Sequence, residues 1–332
     1  MHAIELVELL ETRRLLASFT ASSVAELVSD VNAANAAGGV NSITLAAGTT
    51  FDLKAVDNQN DFGSANGLPI IAAGDDLTIL GNGATIQRST ARGTPNFRLF
   101  DVAAGASLAL NDLTLAGGVA LFSGGAVQNA GTLSLHGVTV QNCMAKGWSF
   151  VTGGGIISNG TLTIADSTIR SNQAIGDDGW LDGFGQAYIG GHAFGGGLYV
   201  SGGTATITNS TFASNTARGG NGADGYSAKG KFGPRVVLAG GLGGTAWGGG
   251  IYAAGGSVTL TGTTITANSA AAGIGGTSPK GLPKGADGTA KGGGIYISSA
   301  SVVLDAFTRA NTRSNTASTS DNDIFGSFSI LP

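Results

Sequence analysis

Gly153-Gly154-Gly155-Ile156-Ile157-Ser158-Asn159-Gly160-Thr161-Leu162-Thr163-Ile164-Ala165-Asp166-Ser167-Thr168-Ile169-Arg170-Ser171-Asn172 decides the fold, because the same paragraph returns along the chain. Other copies open at Gly124-Gly125-Ala126-Val127, at Gly195 to Leu198, at Gly248 to Ile251 and at Gly292 to Ile295. Each opening leads into an alternating stretch: Thr132-Leu133-Ser134-Leu135, Thr161-Leu162-Thr163-Ile164, Thr204-Ala205-Thr206-Ile207, Ser257-Val258-Thr259-Leu260 and Ser301-Val302-Val303-Leu304. A second short strand then ends at Asn142, Asn172, Asn215 or Asn268, and the last copy reaches Asn315 by a longer route.

Alternation puts Leu133, Leu135, Leu162 and Ile164 on one face and Thr and Ser on the other. One such unit cannot bury its apolar face, but units stacked ~4.8 Å apart can, like aligning with like. The expected fold is therefore all-β: a single-stranded right-handed parallel β-helix, a solenoid. A β-sandwich is the competing architecture, but the Asn-Gly hairpin signals it needs between paired strands are scarce. Glycine at each opening permits positive φ or close approach of neighbouring coils. The closing asparagines tolerate the left-handed conformation, and Asn142, Asn172, Asn215, Asn268 and Asn315 are expected to form a ladder of stacked amides.

Upstream the pattern is looser, with candidate strands at Ser42-Ile43-Thr44-Leu45, Asp76 to Leu80, Leu99 to Val102 and Ser107 to Leu110. Val24, Leu27, Val28 and Val31 recur at helical spacing, with Ser22 or Ser23 as N-cap and Gly38 beyond the end. Within 20–41 we thus expect a helix that covers the first coil, followed by the β-helix over 42–332.

Composition agrees. Of 332 residues, 58 are glycine and 11% are charged, yet 42% are hydrophobic, which is too apolar for a disordered chain. The net charge of −4 argues against a nucleic-acid partner. No apolar run reaches the ~18–20 residues of a membrane span. Cys143 is the single cysteine, so a disulfide framework or cysteine metal site is not expected.

Two resemblances rest on these residues. Gly124-Gly125-Ala126-Val127, Phe212-Ala213-Ser214-Asn215 and the variant Ile169-Arg170-Ser171-Asn172 resemble the GGA[IVL] and FxxN elements of chlamydial polymorphic outer-membrane proteins and of the wider pectin-lyase-like superfamily. The resemblance covers about 20–332 and implies the β-helix. It says far less about activity, because that fold hosts lyases, hydrolases, adhesins and inert stalks. The sequence shows no C-terminal membrane barrel of the autotransporter kind, so self-anchoring of that type is not expected. Leu10-Glu11-Thr12-Arg13-Arg14-Leu15-Leu16 resembles the LEPRxLL element of large planctomycete surface proteins, with Thr12 where that element has proline. It implies export or surface sorting for 1–19. Read alone, the stretch is a short amphipathic helix without the apolar run of a secretory signal.

Insertions separate the coils at 143–152, 173–194, 216–247 and 269–291, and in a solenoid such insertions gather on one side, often the binding side. They hold Trp148, Trp180 and Trp247, all three tryptophans of the chain, with Tyr188 and Tyr226. The last two also carry seven cations, Lys229, Lys231 and Arg235 among them, against Asp224 and Asp287. Aromatics beside cations suit an anionic polysaccharide; the plainer alternative is that they cover the solenoid's flank. No catalytic set is expected. Asp177, Asp178, Asp182 and His192 share one insertion and would be the groups to divide acid and base work in a polysaccharide lyase or hydrolase, though loop aspartates beside glycine are commonly turn formers. Gly219-Gly220-Asn221-Gly222-Ala223-Asp224-Gly225-Tyr226 fits one calcium nonapeptide, but that site shares each ion between tandem copies, so Ca2+ at Asp224 is a minor alternative to no cofactor. The functional expectation is an extracellular or cell-surface structural and adhesive protein without catalysis, its partner a polysaccharide or another surface protein. A polysaccharide-binding or polysaccharide-cleaving protein is the alternative.

Overall fold

The computed structural model describes residues 17–59, 64–182, 186–229 and 235–331. Strands make up 47% of the chain, and long parallel sheets dominate. The chain passes again and again through one succession of short strands. In the unit opened by Gly153 these are Ile156–Ser158, Thr161–Ala165, Thr168–Arg170, Gln173–Gly176 and, past a loop, His192–Phe194. The next unit supplies Leu198–Val200, Thr204–Thr208, Thr211–Ala213, Thr216–Arg218 and Ala246–Trp247. Counterparts pair in parallel, residue for residue: Ile156 with Leu198, Thr161 with Thr204, Thr168 with Thr211, Gln173 with Thr216, Ala193 with Ala246. First strands form a seven-stranded sheet and second and third strands share a sixteen-stranded one; the fourth and fifth form sheets of six and four.

Period-two alternation becomes columns under this pairing. Ile43, Ile79, Leu110, Leu135, Ile164, Ile207, Leu260 and Leu304 stack in register and are all fully buried. Each such side chain is worth ~1.5–3 kcal/mol relative to exposure. The bend between second and third strands falls at Asn82, Asp112, Gly137, Asp166, Asn209 and Gly262, all with positive φ. These are the residue types for which that region costs least.

The bend before the fourth strand corrects the expected ladder. Its left-handed residues are Asn142, Ser171, Ser214, Ala267 and Ser314, so the ladder residue is the next one, turned inward. Asn142 is thus exposed, and Cys143 fills its place in the ladder. From there Cys143 N donates to Asn172 Oδ1 at 3.0 Å. Backbone N and Nδ2 of Asn172 both donate to Asn215 Oδ1 at 3.0 Å, and Asn215 binds Asn268, and Asn268 binds Asn315, in the same way at 2.9 Å. Asn315 in turn donates twice to the carboxylate of Asp323.

The next unit's backbone and the ladder together explain the third glycine: a Cβ on Gly155, Gly197 or Gly250 would lie 2.7–2.8 Å from the carbonyl oxygen of Gly197, Gly250 or Gly294. The same Cβ would lie 3.0–3.1 Å from the amide carbon of Asn172, Asn215 or Asn268. In the unit that opens with Gly124, alanine stands third (Ala126) and the ladder residue is the smaller Cys143, so the two positions change together.

At the N-terminal end the helix Val24–Ala37 is capped by Ser23, whose side chain accepts from Glu26 N, and it buries Leu27, Val31 and Ala34. Ala17–Ala21 is a strand paired in parallel with Asn41 to Leu45, so the sheet begins inside the stretch assigned to sorting. Leu10 to Leu16 lies outside the described residues. A second helix, Ala306–Asn311, explains the long route to Asn315. Among the described residues no helix is long and apolar enough to cross a membrane.

The insertions are partly regular structure. Their ends are the fourth and fifth strands, joined by a layer of small residues in which Ala145, Ala174, Ala217 and Ala270 cluster with Val151, Ala193, Ala246 and Ala290. Beyond that layer the glycine-rich segments form a lateral bundle. Amides three residues apart serve the same neighbour: Gly219, Gly222 and Gly225 donate to Ala271, Ile274 and Thr277, while Gly220 and Ala223 donate to Gly191 and Tyr188. A three-residue rotation is that of a polyproline II-type helix. The bundle is held by interchain-like backbone bonds at a spacing with no room for side chains: a Cβ on Gly273 would lie 1.7 Å from Gly220 O.

Candidate functional site

Where the bundle meets the fifth strands, an open cleft of about 390 Å3 is lined by Trp148, Ser149, Phe150, Trp180, Tyr188, Ile189, Gly190 and His192. Trp148 is 51% exposed, Phe150 61% and Trp180 47%, well beyond what a buried flank would leave. Each comes from a different element. Phe150 lies in register with His192 on the four-stranded sheet, and their rings stack at 5.2 Å. Trp148 precedes that strand and meets Phe122 edge-on at 4.6 Å. Trp180 and Tyr188 stand opposite each other on a narrow loop, where Tyr188 N donates to Trp180 O and Leu181 bridges Ala187 antiparallel. Their rings stack at 4.8 Å. The bundle roots this loop, since Gly179 N donates to Asn221 O and Ala223 N to Tyr188 O.

His192 has a defined protonation pattern. Its Nδ1 lies 2.9 Å from Thr245 N, and a backbone N–H can only donate, so Nδ1 accepts and Nε2 carries the proton. Burial holds its pKa below the ordinary histidine value. No carboxylate, lysine or arginine lines the cleft among the described residues.

Asp178, Asp182 and Asp224 are engaged in bonds within and between the insertions. Asp178 Oδ1 accepts from Asn221 N at 2.7 Å, and Arg218 lies 4.0 Å from it. Asp182 Oδ1 accepts from Gln186 N at 2.8 Å, and its Oδ2 accepts from the hydroxyl of the cleft residue Tyr188 at 3.5 Å. Asp177 is exposed and does not line the cleft with His192, although its backbone O accepts from Gly191 N at 2.8 Å. Asp224 Oδ1 accepts from Thr277 Oγ1 at 2.7 Å and Thr277 N at 2.8 Å, and these bonds hold its pKa below the carboxylate range. Among the described residues no group of three or more His, Cys, Asp or Glu could hold a metal ion.

The remaining expected binding residues lie elsewhere. Trp247 is half-buried between Phe194 at 5.2 Å and Tyr296 at 4.9 Å, beside an outward column in which Tyr199, Tyr252, Tyr296 and Phe325 stack. Tyr226 starts the antiparallel hairpin in which Lys229 pairs with Arg235, and Lys231 lies outside the described residues. So the structure joins Trp148, Trp180, Tyr188 and His192 in the cleft, links Trp247 to it only through Phe194, which lies 6.1 Å from Phe150 and 6.3 Å from His192, and places Tyr226 outside its lining. Ser149 and Ile189 carry no sequence signal of their own. Cys143 is a packing residue, its thiol pushed up to about 12 by burial.

A larger groove of about 600 Å3 follows the corner at Gly74, Gly105, Gly131, Gly160 and Gly203. It offers no aromatic surface, so the smaller cleft is the better binding site. No protein-family model, curated protein or solved structure matches the chain.

Proposed function

We propose that the chain is a right-handed parallel β-helix of the pectin-lyase-like kind, displayed outside the cell or on its surface. In this reading it is a structural and adhesive module that binds polysaccharide and does not cleave it. Unit-on-unit parallel registers support the fold, as do the inward ladder and the N-terminal helix over the first layer. One observation carries the function: an exposed aromatic cleft whose lining, among the described residues, holds no carboxylate pair, the Asp182 carboxylate standing behind it on the Tyr188 hydroxyl at 3.5 Å. Planar rings stack on the apolar faces of sugars, whereas glycoside hydrolysis by the usual route needs two carboxyl groups flanking one bond.

The test is a glycan-array screen paired with a reducing-end release assay on the same polysaccharides. Binding without release is expected, with Trp180→Ala weakening it about tenfold or more, the equivalent of ~1.4 kcal/mol. Release of sugar ends would overturn the non-catalytic reading and direct mutation to Asp177, Asp178 and Asp182.

A further inference from the structure

We infer that the cleft selects an uncharged glycan and that His192 is its specificity-determining donor; the inference rests on the polysaccharide-binding reading above. The lining combines ring faces with groups that donate hydrogen bonds: the indole N–H of Trp148 and Trp180, the Ser149 hydroxyl and His192, while the Tyr188 hydroxyl donates to Asp182 Oδ2 at 3.5 Å. Sugar hydroxyl and ring oxygens are the acceptors such a set fits. Because Thr245 N occupies Nδ1 at 2.9 Å, and Thr245 Oγ1 lies 2.9 Å from the same atom, the imidazole is fixed as a neutral ring with Nε2–H left for a ligand.

A uronate or sulfate ester would have to shed water here without a cation to meet it, which is costly. Three cations of the insertions make contacts outside the cleft. Arg218 lies 4.0 Å from Asp178, Lys284 is bonded to Asp287 at 2.8 Å, and Lys291 sits over the Phe325 ring at 4.4 Å. None of these three cations lines the cleft.

The experiment titrates the full chain calorimetrically with cellohexaose and xylohexaose as neutral probes, and with hexagalacturonate and a sulfated galactan oligomer as anionic ones, at low and high salt. A neutral oligomer is expected to bind with salt-independent affinity, and the anionic probes at least about tenfold more weakly. His192→Ala is expected to lose about fivefold to tenfold, near the ~1 kcal/mol of one hydrogen bond. His192→Gln keeps most of the affinity, since its amide can accept from Thr245 N and still donate. Anionic probes binding as well as neutral ones, with loss in high salt, would overturn the inference and leave polysaccharide binding standing. Unchanged affinity in His192→Ala would remove the donor role. If neither kind of probe binds, the polysaccharide reading itself falls.

Discussion

Side chains maintain order in the stacked strands, whereas in the lateral bundle order comes from the near-absence of side chains. In the first region, columns such as Ile164, Ile207 and Leu260 are dry, and the asparagine ladder is fully buried. In the second, Gly220, Gly244 and Gly273 bring backbones into direct hydrogen bonding, while Leu242 and Ile274 point to solvent. A region with few buried apolar contacts opens locally at low free energy, while a packed column opens only with the whole domain. The cleft straddles this divide: Phe150 and His192 stand on the packed body, Trp180 and Tyr188 on a loop rooted in the bundle. The two walls of the site therefore differ in rigidity.

Substitutions can break that comparison, and the largest effect belongs to the ladder. Asn215→Ala leaves Asn172 N without an acceptor and Ile169 O without its donor, and should cost about 3 kcal/mol in urea unfolding. Next is Gly250→Ala, whose Cβ would meet the Asn268 amide at 3.1 Å and Gly294 O at 2.7 Å; a loss of about 2 kcal/mol is expected. Adding Asn268→Cys reproduces the Ala126 and Cys143 pairing, and a double-mutant cycle should show about 1 kcal/mol of favourable coupling. Additivity would mean that the joint change in the Gly124 unit has no packing cause.

Gly273→Ala sharpens the contrast, because its clash of 1.7 Å with Gly220 O lies wholly in the bundle. Amide exchange at Gly220, Gly222 and Gly244 should speed up, while global stability changes by no more than about 1 kcal/mol. A global loss matching that of Asn215→Ala would show the bundle and body to be one cooperative unit. The smallest effect is that of pH on His192. Its folded pKa is depressed by burial, so its stabilisation is whole above the ordinary histidine range and is lost as pH falls through the lowered folded value. The difference in stability between wild type and His192→Gln, followed by urea unfolding across mildly acidic pH, should shrink as pH falls.

The parallel stacking could be read from sequence because alternation with a fixed repeat leaves one face to bury, and Leu133, Leu162 and Val258 mark it without ambiguity. The ladder was harder to place. Asn142 matches its counterparts by residue type, but the left-handed bend precedes the inward position, and Cys143 disguises it. The fourth and fifth strands gave no signal, since Ala145, Ala174 and Ala217 are poor strand formers by propensity and are held only by facing one another. The bundle has a spacing signature, Gly240-Gly241-Leu242-Gly243-Gly244 among them, but glycine at two positions in three reads as low complexity unless a period of three is sought. Tryptophan content pointed to the cleft's outline, yet one-dimensional neighbourhood could not show that Trp247 packs into a different aromatic column from Trp180.

The asparagine ladder also has a direction. Each amide passes its donors to the next oxygen, from Cys143 N at one end to the Asp323 carboxylate at the other. An asparagine both receives and gives, whereas Asp323 Oδ1 receives both donors of Asn315. Asp323 closes the series from another column: it stands beside Gly294, at the opening of a unit, and its side chain reaches across to the rung position.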